Sequence, residues 1–166
     1  MQKYKVHVSP ELLETMTLAA IEAYVYGKQS RKKHMSVETL GYLWGYRKRD
    51  NGTTIFYLDR TSVSISAERQ YHSVTPNRDA ARLKNEVIMR WSPHLTLLGD
   101  FHSHPYRNLK EVISESGYNF SPADFKELIS HDFIWEQSGD NPIILVITVC
   151  RLNRVRDSVQ DNFRNN

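Results

Sequence analysis

The apolar residues near the start of this chain recur at helical spacing. Ser9-Pro10 is typical of a helix start, with an N-cap residue followed by proline at the first helical position. We therefore predict a helix from Pro10 that ends near Gly27. Residues 29–34 are polar and basic, and we predict a loop there. The predicted buried stripe of the helix consists of Leu12, Met16, Ala19, Ala23 and Tyr26.

Strand patterns follow between residues 37 and 67. Aromatic and aliphatic residues dominate 37–46, which favours a strand. A charged stretch then leads to Asn51-Gly52, a strong hairpin signal, and 53–58 is predicted to be the return strand. Apolar residues alternate with serines from Val63 to Ala67, which predicts a third, half-exposed strand.

A second helix is predicted to begin at Thr75-Pro76 and to stop before Pro93. Residues 95–104 are mainly apolar and predict a buried strand, which Pro105 should end because proline cannot donate a hydrogen bond to a sheet. The predicted buried face of the helix consists of Ala80, Leu83, Val87, Ile88 and Trp91.

The last third of the chain begins with a predicted loop over residues 106–120. Ser121-Pro122 then starts a third helix, and 139–142 form a turn. The continuous apolar run 143–149 predicts a strand covered on both faces. A polar tail begins near residue 152. The predicted buried face of the third helix consists of Phe125, Leu128, Ile129 and Phe133.

The resulting order, α-β-β-β-α-β-α-β, predicts an α/β protein of mixed α+β type, with a central mixed sheet flanked by helices. At 166 residues the chain is expected to form a single domain spanning 1–166. Hydrophobic residues make up 40% and charged residues 25%, which is ordinary for a globular protein.

Charge and cysteine content narrow the function classes. The net charge of +3 is mild, and the basic clusters 31–33 and 47–49 fall in predicted turns, so nucleic-acid binding is not expected. Cys150 is the single cysteine, so no intramolecular disulfide can form, and we predict a buried structural thiol there. We expect a cytoplasmic protein without membrane association, since no signal peptide or long apolar run is present.

Candidate chemistry lies between residues 97 and 124. His102 and His104 are two residues apart on a predicted strand, so both imidazoles should point to the same side. Burying two imidazoles is costly unless they gain partners, and a metal ion would supply them. Ser121-Pro122-Ala123-Asp124 is a helix-capping arrangement that needs no metal, but it would also hold the Asp124 carboxylate firmly. Two imidazoles and one carboxylate form a plausible three-ligand catalytic metal site.

Glu38 is the least conspicuous candidate. Taken alone, it is a solvated acidic residue at the start of a strand. It becomes relevant because the other groups lack a proton acceptor, and a carboxylate near a metal site can take a proton from water and pass it to a leaving amine.

These motifs resemble the zinc signature of the JAMM (MPN+) metalloproteases. His102-Ser103-His104-Pro105, followed by Ser121-Pro122-Ala123-Asp124, is similar to the family pattern His-x-His-Pro, a gap, then Ser-x-x-Asp. The segment 38–45 looks like the family's upstream glutamate with Gly-x-Leu-x-Gly behind it. The resemblance extends over roughly residues 10–151 and implies an MPN-like fold of the cytidine-deaminase-like type, with a curved central sheet.

The resemblance also implies roles for individual residues. His102, His104 and Asp124 would bind Zn²⁺, with water as the fourth ligand, and no other cofactor is implied. Glu38 would act as general base and then acid, and Ser121 would hydrogen-bond the oxyanion. Ser103 points away from the histidines on the predicted strand, so we expect a structural role for it.

The expected reaction is hydrolysis of an amide or isopeptide bond, as in deconjugation of a ubiquitin-like protein tail. Two alternatives remain open: a zinc peptidase that acts on small or cell-wall-type peptides, and a non-catalytic MPN scaffold. The fifteen residues between Pro105 and Ser121 exceed the family spacing. Ser114 and Ser116 also lie there, but Ser121 alone is followed three residues later by aspartate. This long segment is expected to influence the choice of substrate.

Overall fold

A five-stranded mixed sheet is the centre of the structure, a computed structural model that describes residues 3–30, 33–70 and 73–152. The strands of the chain are, in order, β1 (Lys3–Val8), β2 (Lys28–Ser30), β3 (Lys33–Met35), β4 (Leu40–Asp50), β5 (Thr53–Val63), β6 (Glu68–Arg69), β7 (Val74–Thr75), β8 (Thr96–Tyr106) and β9 (Ile143–Cys150). The helices are α1 (Pro10–Tyr26), α2 (Arg78–Trp91), α3 (Leu109–Ser114), α4 (Pro122–Ser130) and α5 (Asp132–Ser138).

The central sheet has the strand order β1-β5-β4-β8-β9. The outer pairs β1/β5 and β8/β9 are parallel, whereas β5/β4 and β4/β8 are antiparallel. This curled mixed sheet flanked by helices confirms the predicted mixed α/β class. Two short antiparallel strand pairs, β2/β3 and β6/β7, lie outside the sheet.

Helices cover both faces of the sheet. One face packs against α1 through residues such as Met16, Leu43 and Phe101. The other face packs against α2 and α5 through residues such as Trp44, Ala81 and Ile134. The candidate site lies at one end of this second face, where β8 runs beside α4.

A β-bulge in β8 decides which face carries the histidines. Leu43 pairs with Gly99 and Trp44 pairs with Leu97, so Leu98 is an extra residue on β8. Leu97 packs on the α2/α5 face, while Leu98 packs on the α1 face. The bulge thereby shifts the alternation that follows it, and His102 joins the same face as Leu97.

The N-terminal region differs from the sequence prediction in two places. β1 pairs in parallel with β5, although no strand was predicted there. Its apolar residues Tyr4, Val6 and Val8 alternate with Lys5 and His7, a period of two that favours an edge strand. The predicted loop at 29–34 is also wrong, since its described residues belong to the antiparallel pair β2/β3; residues 31–32 lie outside the described part.

The hairpin around Asn51-Gly52 is confirmed, but its strands have other limits. Both turn residues have positive φ, +45° and +77°, as a tight hairpin requires. β4 begins at Leu40 rather than at residue 37 and continues through the charged residues 47–50, whose side chains are exposed. The basic cluster 47–49 is therefore on a strand and not in a turn.

The third strand predicted at 63–67 does not form. Val63 is the last residue of β5, and the backbone N–H of Ser64 donates to the Leu40 carbonyl at 2.7 Å, which turns the chain away from the sheet. Ile65 is exposed. The alternating apolar residues and serines therefore belong to the end of β5 and the turn that follows it.

α2 starts later and buries a different side than the pattern predicted. Its N-cap is Asn77, whose side chain accepts from Ala80 N–H at 3.1 Å. The buried residues are Ala81 and Asn85, whereas Trp91 of the predicted face is 77% exposed and Leu83 is exposed as well. Asn85, a polar residue, can lie inward because its side chain gains a hydrogen-bond partner. The Trp44 indole N–H donates to Asn85 Oδ1 at 3.0 Å.

Pro105 does not end its strand, because β8 continues to Tyr106 and Pro105 lies opposite Val149 of β9. On the β4 side, Ser103 N–H donates to the Thr39 carbonyl at 3.0 Å. The nitrogen of Pro105, two residues on, faces the same side, beyond the start of β4. Its missing N–H therefore leaves no ladder bond unmade.

The segment 106–120 is only partly loop, because it contains α3, which Asn108 caps through its side chain. α4 begins at Pro122 with Ser121 as N-cap, as predicted. The predicted buried face of that helix is wrong for Phe125 and Ile129, which are exposed. The helical stretch breaks at His131, and α5 follows as a separate helix.

β9 is half-buried at the edge of the sheet, so the prediction of a strand covered on both faces is wrong. Cys150 is a free thiol and is also half-buried. The predicted polar tail lies outside the described residues beyond 152. Among the described residues, no helix is long and apolar enough to span a bilayer.

Candidate metal centre

β8 brings two imidazoles together at one end of the sheet. His102 and His104 point to the same side, as their spacing predicts, and both are buried. Their Nε2 atoms are 3.1 Å apart. Two nitrogens this close need either a shared proton or a shared cation between them.

The first turn of α4 adds a carboxylate to the pair. Asp124 Oδ1 lies 3.3 Å from His102 Nε2, and Asp124 Oδ2 lies 3.5 Å from His104 Nε2. A capping box fixes this carboxylate: Ser121 N–H donates to Asp124 Oδ2 at 2.6 Å, and Asp124 N–H donates to Ser121 Oγ at 3.2 Å. The donor atoms of these three residues lie within 4.8 Å of one another, close enough to hold one metal ion.

The long segment after Pro105 contributes a contact that the sequence did not reveal. His104 Nδ1 lies 3.0 Å from the carbonyl oxygen of Gly117. Since a carbonyl only accepts hydrogen bonds, Nδ1 carries the proton, and Nε2 of the neutral ring is left as the lone-pair donor. The same carbonyl accepts from Thr148 Oγ1 of β9 at 3.0 Å, which holds it in place.

The charge balance of the cluster favours an anionic carboxylate. Burial alone would raise the pKa of Asp124, but hydrogen bonds from His102, His104 and Ser121 N–H hold it far below its usual range. Burial alone would lower the pKa of His104, yet its bonds to Asp124 and to the Gly117 carbonyl leave it above the ordinary value. In the absence of a metal, a proton therefore holds the cluster together, and a bound cation would displace it.

Glu38 faces this cluster from the segment that immediately precedes β4. Leu40 pairs with His102, and Thr39 continues the register through reciprocal bonds with Ser103, so Glu38 falls beside His104. Its side chain is 6% exposed and not solvated as it would be at an ordinary strand start. Burial raises the pKa of Glu38 to about 7, although His104 and His102 counteract part of this rise.

Ser103 and Gln70 hold the Glu38 segment. Thr39 N–H donates to Ser103 Oγ at 2.9 Å, and Glu38 N–H donates to the Gln70 carbonyl at 2.9 Å. Ser103 thus has the structural contact expected for a side chain on the other side of β8.

Ser121 is half-buried beside the cluster. Its Oγ accepts the Asp124 N–H, so its hydroxyl proton remains able to donate to another group. All five residues singled out in the sequence therefore lie together in the structure.

Three further polar residues line a cavity at this centre and were missed in the sequence: Asp100, Glu127 and His131. Asp100 precedes His102 by two residues on β8, and burial raises its pKa to about 6. Glu127 and His131 follow Asp124 by three and seven residues, a helical spacing that could have indicated a shared face.

In chemical terms, the arrangement combines three residues that could hold a metal ion with a buried carboxylate, whose pKa is raised to about 7, and a hydroxyl donor. No protein-family model matches the chain, and no curated protein matches it. The chemistry of the site therefore carries the functional argument.

Proposed function

We propose that this protein is a zinc-dependent hydrolase of amide or isopeptide bonds, of the JAMM type and with the MPN-like fold. The observation that carries the proposal is the buried Glu38 carboxylate beside the group His102, His104 and Asp124. A binding site needs only the three donors, whereas a hydrolytic site also needs a base close to them.

The donor set suits zinc. Bonds of about 2.0–2.1 Å to a tetrahedral zinc ion place the ligand atoms about 3.3 Å from one another. The two Nε2 atoms are 3.1 Å apart, close to that separation, and each lies 3.3 or 3.5 Å from a different oxygen of the Asp124 carboxylate. Two imidazoles and one carboxylate are also the kind of three-ligand set that leaves a catalytic zinc one open position. When bound, zinc would polarise the scissile carbonyl and acidify a water molecule.

Glu38 supplies the proton transfers. A group with a pKa of about 7 can take a proton from the attacking water and return it to the leaving amine at neutral pH. The hydrogen bond from Thr39 N–H to Ser103 Oγ holds the segment that contains Glu38 in register with β8. The Ser121 hydroxyl would donate to the oxygen that becomes negative during attack on the carbonyl.

The resemblance of the two motifs to JAMM proteases supports the substrate class, an amide at the tail of a ubiquitin-like protein. To test the proposal, the purified protein is assayed for zinc content and for hydrolysis of a C-terminal Gly-Gly amide. Glu38→Gln should keep the metal and lose turnover, whereas Asp124→Ala should lose the metal. Glu136→Gln, a change of an exposed acid, is the matched control.

Activity that survives a chelator or the Glu38→Gln change would refute the proposal. Cleavage of short peptides without cleavage of protein conjugates would redirect it towards a small-peptide peptidase. A stable, zinc-free protein without activity would support the scaffold alternative.

A further inference from the structure

A cavity of about 170 Å³ opens next to the metal-binding donors. His102 and Asp124 form part of its wall, so an occupant would lie within a side chain's length of the proposed reaction centre. Ser73, Thr75 and Ala123 line the cavity and are exposed, so it reaches solvent. The volume equals about six water molecules at about 30 Å³ each, which suits one short side chain.

Two acceptors in this cavity lack hydrogen-bond donors. His131 is only 2% exposed, and neither of its ring nitrogens has a partner among the described residues. Within the same part of the chain, no donor hydrogen-bonds to the Asp100 carboxylate, which lines the cavity as well. Burying such groups without partners is unfavourable, so the cavity favours an occupant that donates hydrogen bonds.

The charges at the cavity favour a cationic occupant. Asp100 and Glu127 line it, and their charge remains when Asp124 is bound to the metal. Arg78 offsets part of this charge, because it pairs with Glu127 Oε1 at 3.3 Å, but its side chain is nearly half exposed and its effect is screened. Burial and the nearby Arg78 lower the pKa of His131, so its ring is neutral and offers an acceptor nitrogen.

The occupant should be larger than a metal ion. Among the described residues, only His102, His104 and Asp124 form a group of three donors close enough to share one ion. Asp100, Glu127 and His131 are too widely spaced for that. Apolar side chains complete the wall and suit a chain of methylene groups: Leu40, Val74, Leu128 and Ile144.

We propose that this cavity binds an alkylammonium group of the substrate, such as a lysine side chain with a free amine, next to the scissile bond. Asp100 provides the opposite charge, and His131 and Glu127 accept the remaining N–H bonds. The bound group is not the nitrogen that leaves, because an amide nitrogen carries no charge. The proposal rests on the proposed function, since it takes the metal centre as the place of hydrolysis.

Direct binding tests the subsite without turnover. The zinc-loaded protein is titrated by NMR with n-butylammonium chloride and, separately, with 1-butanol, a neutral molecule of similar size. We expect saturable binding of the cation only. Asp100→Asn should weaken it about tenfold, the scale of one lost charge-assisted hydrogen bond. Glu127→Gln should weaken it less, because Arg78 already pairs with that carboxylate. Asp79→Asn, an exposed acid on α2, is the control and should change nothing.

Equal binding of 1-butanol, or cation binding unchanged in Asp100→Asn, would overturn the subsite. If Asp100→Asn does not fold, the comparison of cation with alcohol on the unmodified protein and on Glu127→Gln decides the question. Absence of amide hydrolysis would refute the proposed function but leave these binding results interpretable.

A second readout applies once hydrolysis is observed. Peptide amides with lysine or norleucine beside the scissile bond are compared by kcat/KM. We expect about a tenfold preference for lysine that Asp100→Asn abolishes. Equal cleavage of both peptides would reject the ammonium subsite while leaving zinc-dependent hydrolysis intact.

Discussion

Glu38 shows how the burial of a carboxylate costs stability. In the folded chain its pKa is raised by burial from an ordinary 4.5 to about 7. The folded state therefore binds more protons than the unfolded state between these values, and the free energy of unfolding falls as pH rises from about 4.5 to about 7. The difference corresponds to about 3 kcal/mol.

We therefore predict that Glu38→Gln makes the metal-free protein more stable above pH 7, by up to about 3 kcal/mol, with little change near pH 4. Urea unfolding at pH 4, 6 and 8 in the presence of a chelator measures this difference. Glu136→Gln should show no such pH-dependent gain, since that side chain is exposed. A gain that is the same at every pH would contradict the explanation by burial of charge.

A second prediction at the residue scale concerns Gly117. A Cβ atom on Gly117 would lie 2.2 Å from the Tyr106 ring, so a side chain there requires movement. Because the Gly117 carbonyl orients His104, we expect Gly117→Ala to weaken zinc binding about 10- to 100-fold, the usual effect of disturbing a ligand's hydrogen-bond partner. Competition with a chromophoric chelator measures the affinity.

The matched control keeps the alanine at residue 117 and removes the ring with which its Cβ would clash. Adding Tyr106→Ala to Gly117→Ala provides room for the Cβ, and zinc affinity should recover. Affinity that stays low in the double variant would show that the clash with Tyr106 is not what links residue 117 to zinc binding.

The sequence revealed those site residues whose spacing along the chain predicts that their side chains lie together. His102 and His104 follow the strand period, and Ser121 and Asp124 follow the capping period. Gly117 could not be found in this way, because it acts through a carbonyl that every residue has. Glu38 was found through a motif, but its burial depends on pairing with β8 across more than sixty residues.

At the scale of elements, the capping role of Ser121 in α4 can be separated from its proposed role in catalysis. Ser9 caps α1 and Ser121 caps α4, each by accepting a backbone N–H at 3.2 Å. We predict that Ser9→Ala and Ser121→Ala each reduce the free energy of unfolding by about 1 kcal/mol. Chemical denaturation of both variants checks this equality.

Only Ser121→Ala should affect catalysis. Asp124 keeps the bond from Ser121 N–H, which the substitution leaves in place, so zinc should be retained. Turnover should fall about 100-fold or more if the hydroxyl stabilises the oxyanion. Equal turnover in the two variants would restrict Ser121 to its capping role.

The boundaries of helices and strands were predicted less well than their types, because tertiary contacts decide where an element ends and which side it buries. α2 presents Leu83 and Trp91 to solvent because Asn85 gains the Trp44 indole as a partner and turns inward. β8 passes through Pro105 because β4 begins at Leu40, opposite His102, and does not extend as far as Pro105. Neither pairing is visible in local periodicity, since each depends on residues far along the chain.

For the whole molecule, the proposed metal is a cross-link between distant segments. Its ligands come from the end of β8 and the start of α4, with α3 between them in the chain. An ion that binds only the folded chain stabilises it by about 2.7 kcal/mol at a concentration 100 times its Kd. For a protein of this size we predict a rise in Tm of about 5–10 °C.

Thermal unfolding with zinc and with a chelator measures this rise, and Asp124→Ala should abolish it. Hydrogen exchange should slow at the end of β8 and in the first turn of α4, where the ligands lie. Because the ion must displace the proton that His104 binds with a raised pKa, the gain in Tm should shrink as pH falls below neutrality. An equal rise in Asp124→Ala would mean that zinc stabilises the chain from another site, and the cross-link would have to be given up.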